Sequence, residues 1–305
     1  MSGPLDDKDS RWVNEGAIGV EVRQGRTTDV IGTSVTRVLP TKGRRTIGAW
    51  CFVDLIIPPD AHDPDPLEIG PHPHIGLSTV TWLFQGEALH SDSLGTEQVI
   101  RPGQLNLMTS GRGIAHAELS TPDGVLGAQM WIALPEATRH GAPAFEHHAT
   151  LPRLERSWGE ATVLIGTYAE AASPARADTD LIGMDLVLAG SARLELRSDF
   201  EYGVIPIDRA VKVADDIVEP GWLGLVERGP EELSIEPSSP GARVLLVGGA
   251  PLGERIQMWW NFVARSKEEM TEAWRAWQLH DTDRFGPVPS KLARLDAPPP
   301  PWLRP

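Results

Sequence analysis

Short apolar runs rich in Val, Ile, Thr, Trp and Phe recur along the chain, each closed by Gly, Pro or Asp. Runs of this length and composition fit buried or half-buried strands rather than helices. The pattern predicts strands over 35–39, 49–57, 78–84, 98–100, 105–108, 115–119 and 127–134, with a turn over 90–97. A polar stretch at 136–148 reads as a linker. A second set of strands is then predicted over 161–168, 184–188, 192–196, 202–207, 222–226, 232–235 and 243–248. Each set ends on an apolar strand running into a loop with Pro and Glu, AQMWIALPE in the first and RVLLVGGAPLGE in the second. The layout predicts an all-β chain built by tandem duplication of one antiparallel sandwich or barrel.

One helix interrupts this pattern. Ser266 and Glu269 have the spacing of a capping box, and Met270, Trp274 and Trp277 then share one helical face. Residues 1–15 are polar and read as loose. The tail APPPPWLRP (297–305) reads as extended polyproline-type chain, in which Trp302 favours docking over a neighbour. These readings give domains at 1–137 and 138–265, with the helix and tail at 266–305.

Composition narrows the function. The 305 residues suffice for two domains, and the 30 glycines and 27 prolines suit short strands joined by turns. A formal charge of -14 repels phosphate backbones and argues against direct nucleic-acid binding. The single cysteine, Cys51, excludes an intrachain disulfide and reads as a buried core thiol. No basic-then-apolar leader is visible, and no apolar run approaches the ~18–20 residues of a membrane helix. A soluble, cytoplasmic protein is expected.

The candidate chemistry lies in two short motifs. GPHPHIG (70–76) places His72 and His74 two apart, and SGRGIAHAELS (110–120) places His116 and Glu118 two apart. On a strand, residues i and i+2 lie on one face, ~7 Å apart. Two such pairs on facing strands make a four-ligand site of three nitrogens and one carboxylate. Pro71, Pro73, Gly70 and Gly76 hold the first pair extended, and Gly111 and Gly113 allow a sharp turn before the second. This donor set suits Fe, Mn, Co, Ni, Cu or Zn, and four ligands on an octahedral ion leave two positions for water, dioxygen or substrate. Other histidines read as ordinary: His90 as a turn residue bonding backbone, His62 as solvated, and His140, His147 and His148 as linker residues. No histidine occurs from 149 to 279, so the second half is expected to bind no metal through imidazole. There is no GxSxG elbow, no P-loop and no GxGxxG after a strand.

At HPHIGLSTVTWLFQGEALHSDSLG (72–95), RPGQLNLMTSGRGIAHAE (101–118), GAQMWIALP (127–135) and MWWNFVARSKEEM (258–270) the sequence resembles the pirin family of the cupin superfamily. The resemblance implies a bicupin: two antiparallel β-barrels with metal in the N-terminal one only. It implies Fe(II) as the metal, on His72, His74, His116 and Glu118. Two positions depart from the family. Ile75 and Ser78 stand where pirins commonly carry Arg and Glu, so Glu118 must supply the carboxylate.

Two functions follow as expectations of the resemblance. One is a quercetin 2,3-dioxygenase-like enzyme that opens the central ring of a flavonol with dioxygen. Glu118 would then act as general base, and Phe52, Trp82, Met108 and Met130 would line the pocket for the flat substrate. The other is an iron-binding redox sensor that modulates a transcription factor or metabolic enzyme through protein contact.

Overall fold

The expected β character holds along the described chain. A computed structural model describes residues 18–30, 32–57 and 66–303. In the first half the strands are β1 (Val20–Gln24), β2 (Arg26–Val30), β3 (Thr33–Leu39), β4 (Trp50–Ile56), β5 (Glu68–His74), β6 (Leu77–Gln85), β7 (Ala88–Asp92), β8 (Glu97–Ile100), β9 (Leu105–Thr109), β10 (Ile114–Ser120), β11 (Leu126–Ala133) and β12 (Ala144–His148). In the second they are β13 (Arg153–Arg156), β14 (Gly159–Ile165), β15 (Thr167–Tyr168), β16 (Ala171–Ala172), β17 (Leu181–Leu188), β18 (Ala192–Glu195), β19 (Glu201–Pro206), β20 (Val211–Val213), β21 (Asp216–Val218), β22 (Trp222–Val226), β23 (Glu232–Pro237) and β24 (Ala242–Gly249). A hairpin of β25 (Gln257–Trp259) and β26 (Phe262–Ala264) precedes the helix α1 (Lys267–Gln278).

The sheets repeat strand for strand. One pair runs β12-β9-β6-β11-β4-β3-β2 and β5-β10-β7-β8; the other runs β1-β22-β19-β24-β17-β14-β13 and β18-β23-β20-β21. Taken by rank in the chain, β3, β4, β6, β9 and β11 occupy the places of β14, β17, β19, β22 and β24. Likewise β5, β7, β8 and β10 occupy the places of β18, β20, β21 and β23. The duplication expected from the sequence is therefore present in the topology.

The compact units are interleaved in sequence. One holds 27–36, 50–151 and 252–305; the other holds 37–49, 152–251 and the N-terminal strand β1. Consecutive domains at 1–137, 138–265 and 266–305 describe only part of this. The reason lies at the sheet edges. An edge strand leaves its backbone groups unpaired, and β22 is covered by β1 from the N-terminus, whereas β9 is covered by β12. The stretch expected to be a linker thus supplies a strand. Residues 1–15 and His62 lie outside the described residues.

The two units fill their equivalent faces differently. Where the first small sheet carries His72, His116 and their neighbours, the second carries Ala192, Leu194, Leu233 and Ile235, all buried in one aliphatic cluster. In the first unit α1 closes the fold. Ser266 caps it, its hydroxyl accepting the backbone N–H of Glu269 at 3.2 Å. The Glu269 carboxylate does not complete a capping box; it accepts from the Arg265 N–H and from Arg139. Met270, Ala273 and Trp277 bury against Ile75, Ala115, Phe262 and Phe285. Trp302 in the Pro-rich tail docks on this helix, donating its indole N–H to Thr271 at 2.9 Å.

Candidate metal centre

Each pair of ligand residues owes its position to local backbone chemistry. β5 is the edge of its sheet, which is where a strand tolerates Pro71 and Pro73, neither of which has an N–H to donate. Pairing with β10 sets His72 directly opposite His116. Next to them the register slips, from His116 opposite His72 to Glu118 opposite Ile69, so β5 carries one extra residue there. On its other side β10 pairs regularly with β7, placing Asp92 opposite His116 and His90 opposite Glu118.

Beyond His74 the chain turns at Gly76, whose φ is +68°; a Cβ there would sit 2.1 Å from the Val263 carbonyl oxygen. Only glycine permits that approach. It lets Val263 donate its N–H to the Ile75 carbonyl at 3.1 Å and seats the β25–β26 hairpin beside His74. The hairpin turn itself is strained, with Trp260 in the left-handed region at φ 52°. The next residue, Asn261, offers its backbone carbonyl to His74 Nδ1 at 3.0 Å.

The imidazoles of His72, His74 and His116 are buried, and their ligand nitrogens lie within 4.8 Å of one another. Their tautomers can be worked out from their partners. His72 Nδ1 donates to the Gly70 carbonyl at 2.9 Å, and His74 Nδ1 donates to that of Asn261. Asp92 Oδ2 accepts from His90 Nε2 at 3.1 Å. For His116 to turn its Nε2 inward as a lone pair, its Nδ1 must carry the proton and donate to His90 Nδ1, 3.4 Å away. In that arrangement all three rings offer an unprotonated Nε2, and His74 Nε2 and His116 Nε2 stand 3.1 Å apart. Lone pairs so close repel unless a cation lies between them. Protons are a poor solution, because burial pushes His72 down to about 4, helped by His90 and opposed by the Gly70 carbonyl. Burial, then the neighbouring imidazoles, push His74 and His116 well below the usual range. Three neutral nitrogen donors with fixed tautomers fit a divalent transition metal.

Glu118 is buried but does not join the three converging nitrogens among the described residues. Burial raises its pKa above the ordinary carboxylate value, opposed by His90 and by a hydrogen bond with Thr81 across the barrel. Gln129 Oε1, 2.9 Å from Thr81 Oγ1, competes with Glu118 for the single hydroxyl proton. Three of the four expected residues thus have their imidazoles in contact, while Glu118, two residues along β10 from His116, stands opposite His90.

The expected pocket residues divide by strand parity. Register places Phe52 opposite Trp131, Trp131 opposite Thr79, and Thr79 opposite Met108. These share the face of Thr81, whose side chain reaches Glu118. Phe52 stacks on Trp131 with centroids 4.0 Å apart, and Trp131 meets His74 edge-on at 5.3 Å. Trp82 and Met130 sit one residue out of phase with Thr81 and Trp131, so they belong to the opposite face of the sheet. For these two the structure corrects the pocket expected from the sequence.

His90 also departs from expectation. It lies on β7 rather than in a turn, bonds His116 and Asp92 rather than backbone, and stacks on Phe145 of β12 at 4.5 Å. Sequence reasoning missed Trp131, His90, Asp92 and the Asn261 carbonyl. The HSD spacing of His90 and Asp92 repeated the HxH and HxE devices and was the available signal. The described residues also form a cleft of ≈ 350 Å³, lined in part by Ile75, Gly111, Arg112, Arg139 and Arg284. None of the three histidines lines it. Arg139 there is taken up by Glu136 and Glu269.

Residues 32–132 match the Pirin family and residues 183–285 match the Pirin C-terminal cupin domain. The chain belongs to the pirin family. It is a bicupin pirin, as the repeated topology requires. It is 48% identical over 276 residues to a Pseudomonas aeruginosa protein named "Putative quercetin 2,3-dioxygenase", covering 89% of this chain and 87% of that one. It is 33% identical to a pirin-like protein of Caulobacter vibrioides, over 88% of this chain and 98% of the relative. Among solved structures, a quercetin 2,3-dioxygenase from Acinetobacter baumannii superposes with a TM-score of 0.86 at 40% identity, covering 92% of this chain and 96% of that one. A bacterial pirin from Escherichia coli, solved in complex with nickel(II), shares the fold at a TM-score of 0.61 and 17% identity, over 76% of this chain and 99% of that one.

Proposed function

We propose that this pirin is a quercetin 2,3-dioxygenase-type enzyme, cleaving the central ring of a flavonol with dioxygen and releasing carbon monoxide. The observation that carries the reading is the convergence of three buried, unprotonated imidazole nitrogens whose outer nitrogens are all engaged. The relatives named for this activity support the choice of reaction.

His72, His74 and His116 would hold the ion, with Glu118 as the carboxylate available to it. Fe(II) is the metal proposed. A divalent metal held there would supply Lewis acidity toward the flavonol 3-hydroxyl and dioxygen. The residues of the chain do the rest. Glu118, with its pKa raised by burial, takes the proton of the flavonol 3-hydroxyl as general base. Thr81 holds that carboxylate on the barrel wall. Phe52 and Trp131 form a flat apolar wall beside His74, against which a planar ring system stacks. The buried surroundings keep water from the reacting atoms.

The test is dioxygen uptake with quercetin by protein loaded with Fe(II) under anaerobic conditions, beside His72→Ala and His116→Ala. Uptake with stoichiometric flavonol loss is expected in the native protein only. Stoichiometric metal binding without uptake would overturn the flavonol reaction while leaving the metal centre standing.

A further inference from the structure

The second unit keeps the architecture of the first but carries no histidine between 149 and 279, so its barrel offers no imidazole to a metal. It nevertheless contains a cavity of ≈ 250 Å³. The strands that line the cavity are β17 (Met184), β18 and the residues after it (Glu195, Arg197), β19 (Tyr202) and β24 (Leu246). Their topological counterparts are β4, β5, β6 and β11, the strands that carry Phe52, the His72–His74 pair, Thr81 and Trp131. Met184 stands opposite Leu246 across β17 and β24, the counterparts of the strands β4 and β11 that bring Phe52 opposite Trp131. Slim side chains line the wall of this cavity, where the first barrel carries two stacked aromatics on the corresponding strands.

The lining has a definite chemistry. The chain has two tyrosines, Tyr168 and Tyr202, and both line this cavity. Tyr202 is buried, and its hydroxyl oxygen accepts the backbone N–H of Arg197 at 2.8 Å. The Tyr168 hydroxyl likewise takes a backbone hydrogen bond from Glu195. A phenol that accepts in this way still has its own proton to donate. Tyr168 is carried by a tight hairpin whose next residue, Ala169, lies in the left-handed region at φ 48°. Apolar Ile182, Met184 and Leu246 share the remaining walls with Thr167, Glu195 and Arg197. Arg197 adds no free positive charge: it is paired with Asp199 at 2.7 Å and Asp180 at 3.3 Å, and stacks over Phe200 at 4.0 Å. With Glu195 also present, an anion is disfavoured. The volume falls below the ~300–1,000 Å³ of pockets for drug-sized ligands, so one ring fits rather than three.

We propose that the second barrel is a separate, metal-independent binding site for an uncharged single-ring aromatic carbonyl compound, whose oxygen accepts from Tyr168 and Tyr202. The ring would lie on the wall formed by Met184 and Leu246, with sulfur and methyl groups against one of its faces.

Because all tyrosines line the cavity, 3-fluorotyrosine labelling of the whole chain gives two ¹⁹F resonances that both report on it. Acetophenone is the probe, titrated into the labelled protein carrying His72→Ala so that the metal centre contributes nothing. Saturable shifts of both resonances are expected, with benzoate at least about tenfold weaker. Tyr202→Phe should weaken acetophenone by about tenfold, the worth of one hydrogen bond, read on the remaining Tyr168 signal. Met184→Trp should abolish the shift by filling the space. If Met184→Trp fails to fold, Tyr202→Phe alone decides. The proposal is overturned if neither resonance shifts saturably, if benzoate binds as well as acetophenone, or if Tyr202→Phe leaves the affinity unchanged.

Discussion

Asp92→Asn tests the tautomer assignment on which the metal centre rests. Asp92 is fully buried, with one carboxylate oxygen 3.1 Å from His90 Nε2. The other accepts the backbone N–H groups of Leu94 at 2.8 Å and Thr96 at 3.0 Å. Burial alone would raise its pKa, but the hydrogen bonds from His90, Thr96 and Leu94 outweigh this and hold it below the ordinary value. Asparagine keeps the oxygen that organises the turn and turns an NH₂ donor toward His90. His90 must then accept at Nε2 and carry its proton on Nδ1. That proton faces the Nδ1–H of His116 across 3.4 Å. His116 either loses its partner or moves its proton to Nε2, which removes a metal donor. Partners that orient metal ligands are worth ~10–100-fold in affinity, or about 1.4–2.7 kcal/mol. Competition against a chromogenic chelator, with Fe(II) and with Co(II), measures this directly, and urea unfolding of the metal-free protein checks that stability changes by less than about 1 kcal/mol. A metal affinity within about threefold of the native protein, with the fold intact, would refute the assignment of His116 as donor to His90.

Other outcomes follow from the same structure. Glu118→Gln should lower the rate of flavonol loss by ~10²–10⁴-fold as a lost general base, while one metal ion per chain is still bound; turnover near the native rate would remove Glu118 from the chemistry. Gly76→Ala places a Cβ 2.1 Å from the Val263 carbonyl at φ +68° and should cost more than ~2 kcal/mol in urea unfolding, a loss that a change under ~0.5 kcal/mol would contradict. Burial pushes the Cys51 thiol from 9.0 up to about 12, so native protein should resist alkylation at pH 8. The raised folded value means that its stabilising contribution is whole below pH ~9 and is lost as pH climbs toward about 12. Cys51→Ala should therefore be less sensitive to alkali in that window, and equal pH slopes for the two proteins would count against the shift. Phe262→Ala, beside the Asn261 carbonyl and fully buried, should cost ~3–5 kcal/mol and weaken metal binding by loosening His74; isothermal titration on any folded fraction tests the second effect.

Much of this protein was legible in one dimension. Apolar runs closed by Gly, Pro and Asp marked fourteen strand segments, because a strand needs only local composition and a bounded length. The Ser266 cap and the Met270–Trp277 spacing marked the helix for the same reason. Two i,i+2 pairs marked the three metal-binding imidazoles, since strand alternation alone puts such residues on one face.

Tertiary structure decided what depends on phase and on distant backbone. The pocket residues Trp82 and Met130 are each one position from a residue on the working face, and a one-residue step in a strand reverses which side a side chain meets. Composition carries no mark of that phase. Nor does it mark the Asn261 carbonyl, because every residue has one and only the turn at Trp260 brings it to His74. The β-bulge in β5 opposite the His116–Glu118 segment, and the passage of β1 and residues 252–305 into units remote in sequence, likewise exist only where strands meet. The sequence specified which groups carry the chemistry. Long-range pairing specified which nitrogens, and which faces, they turn toward it.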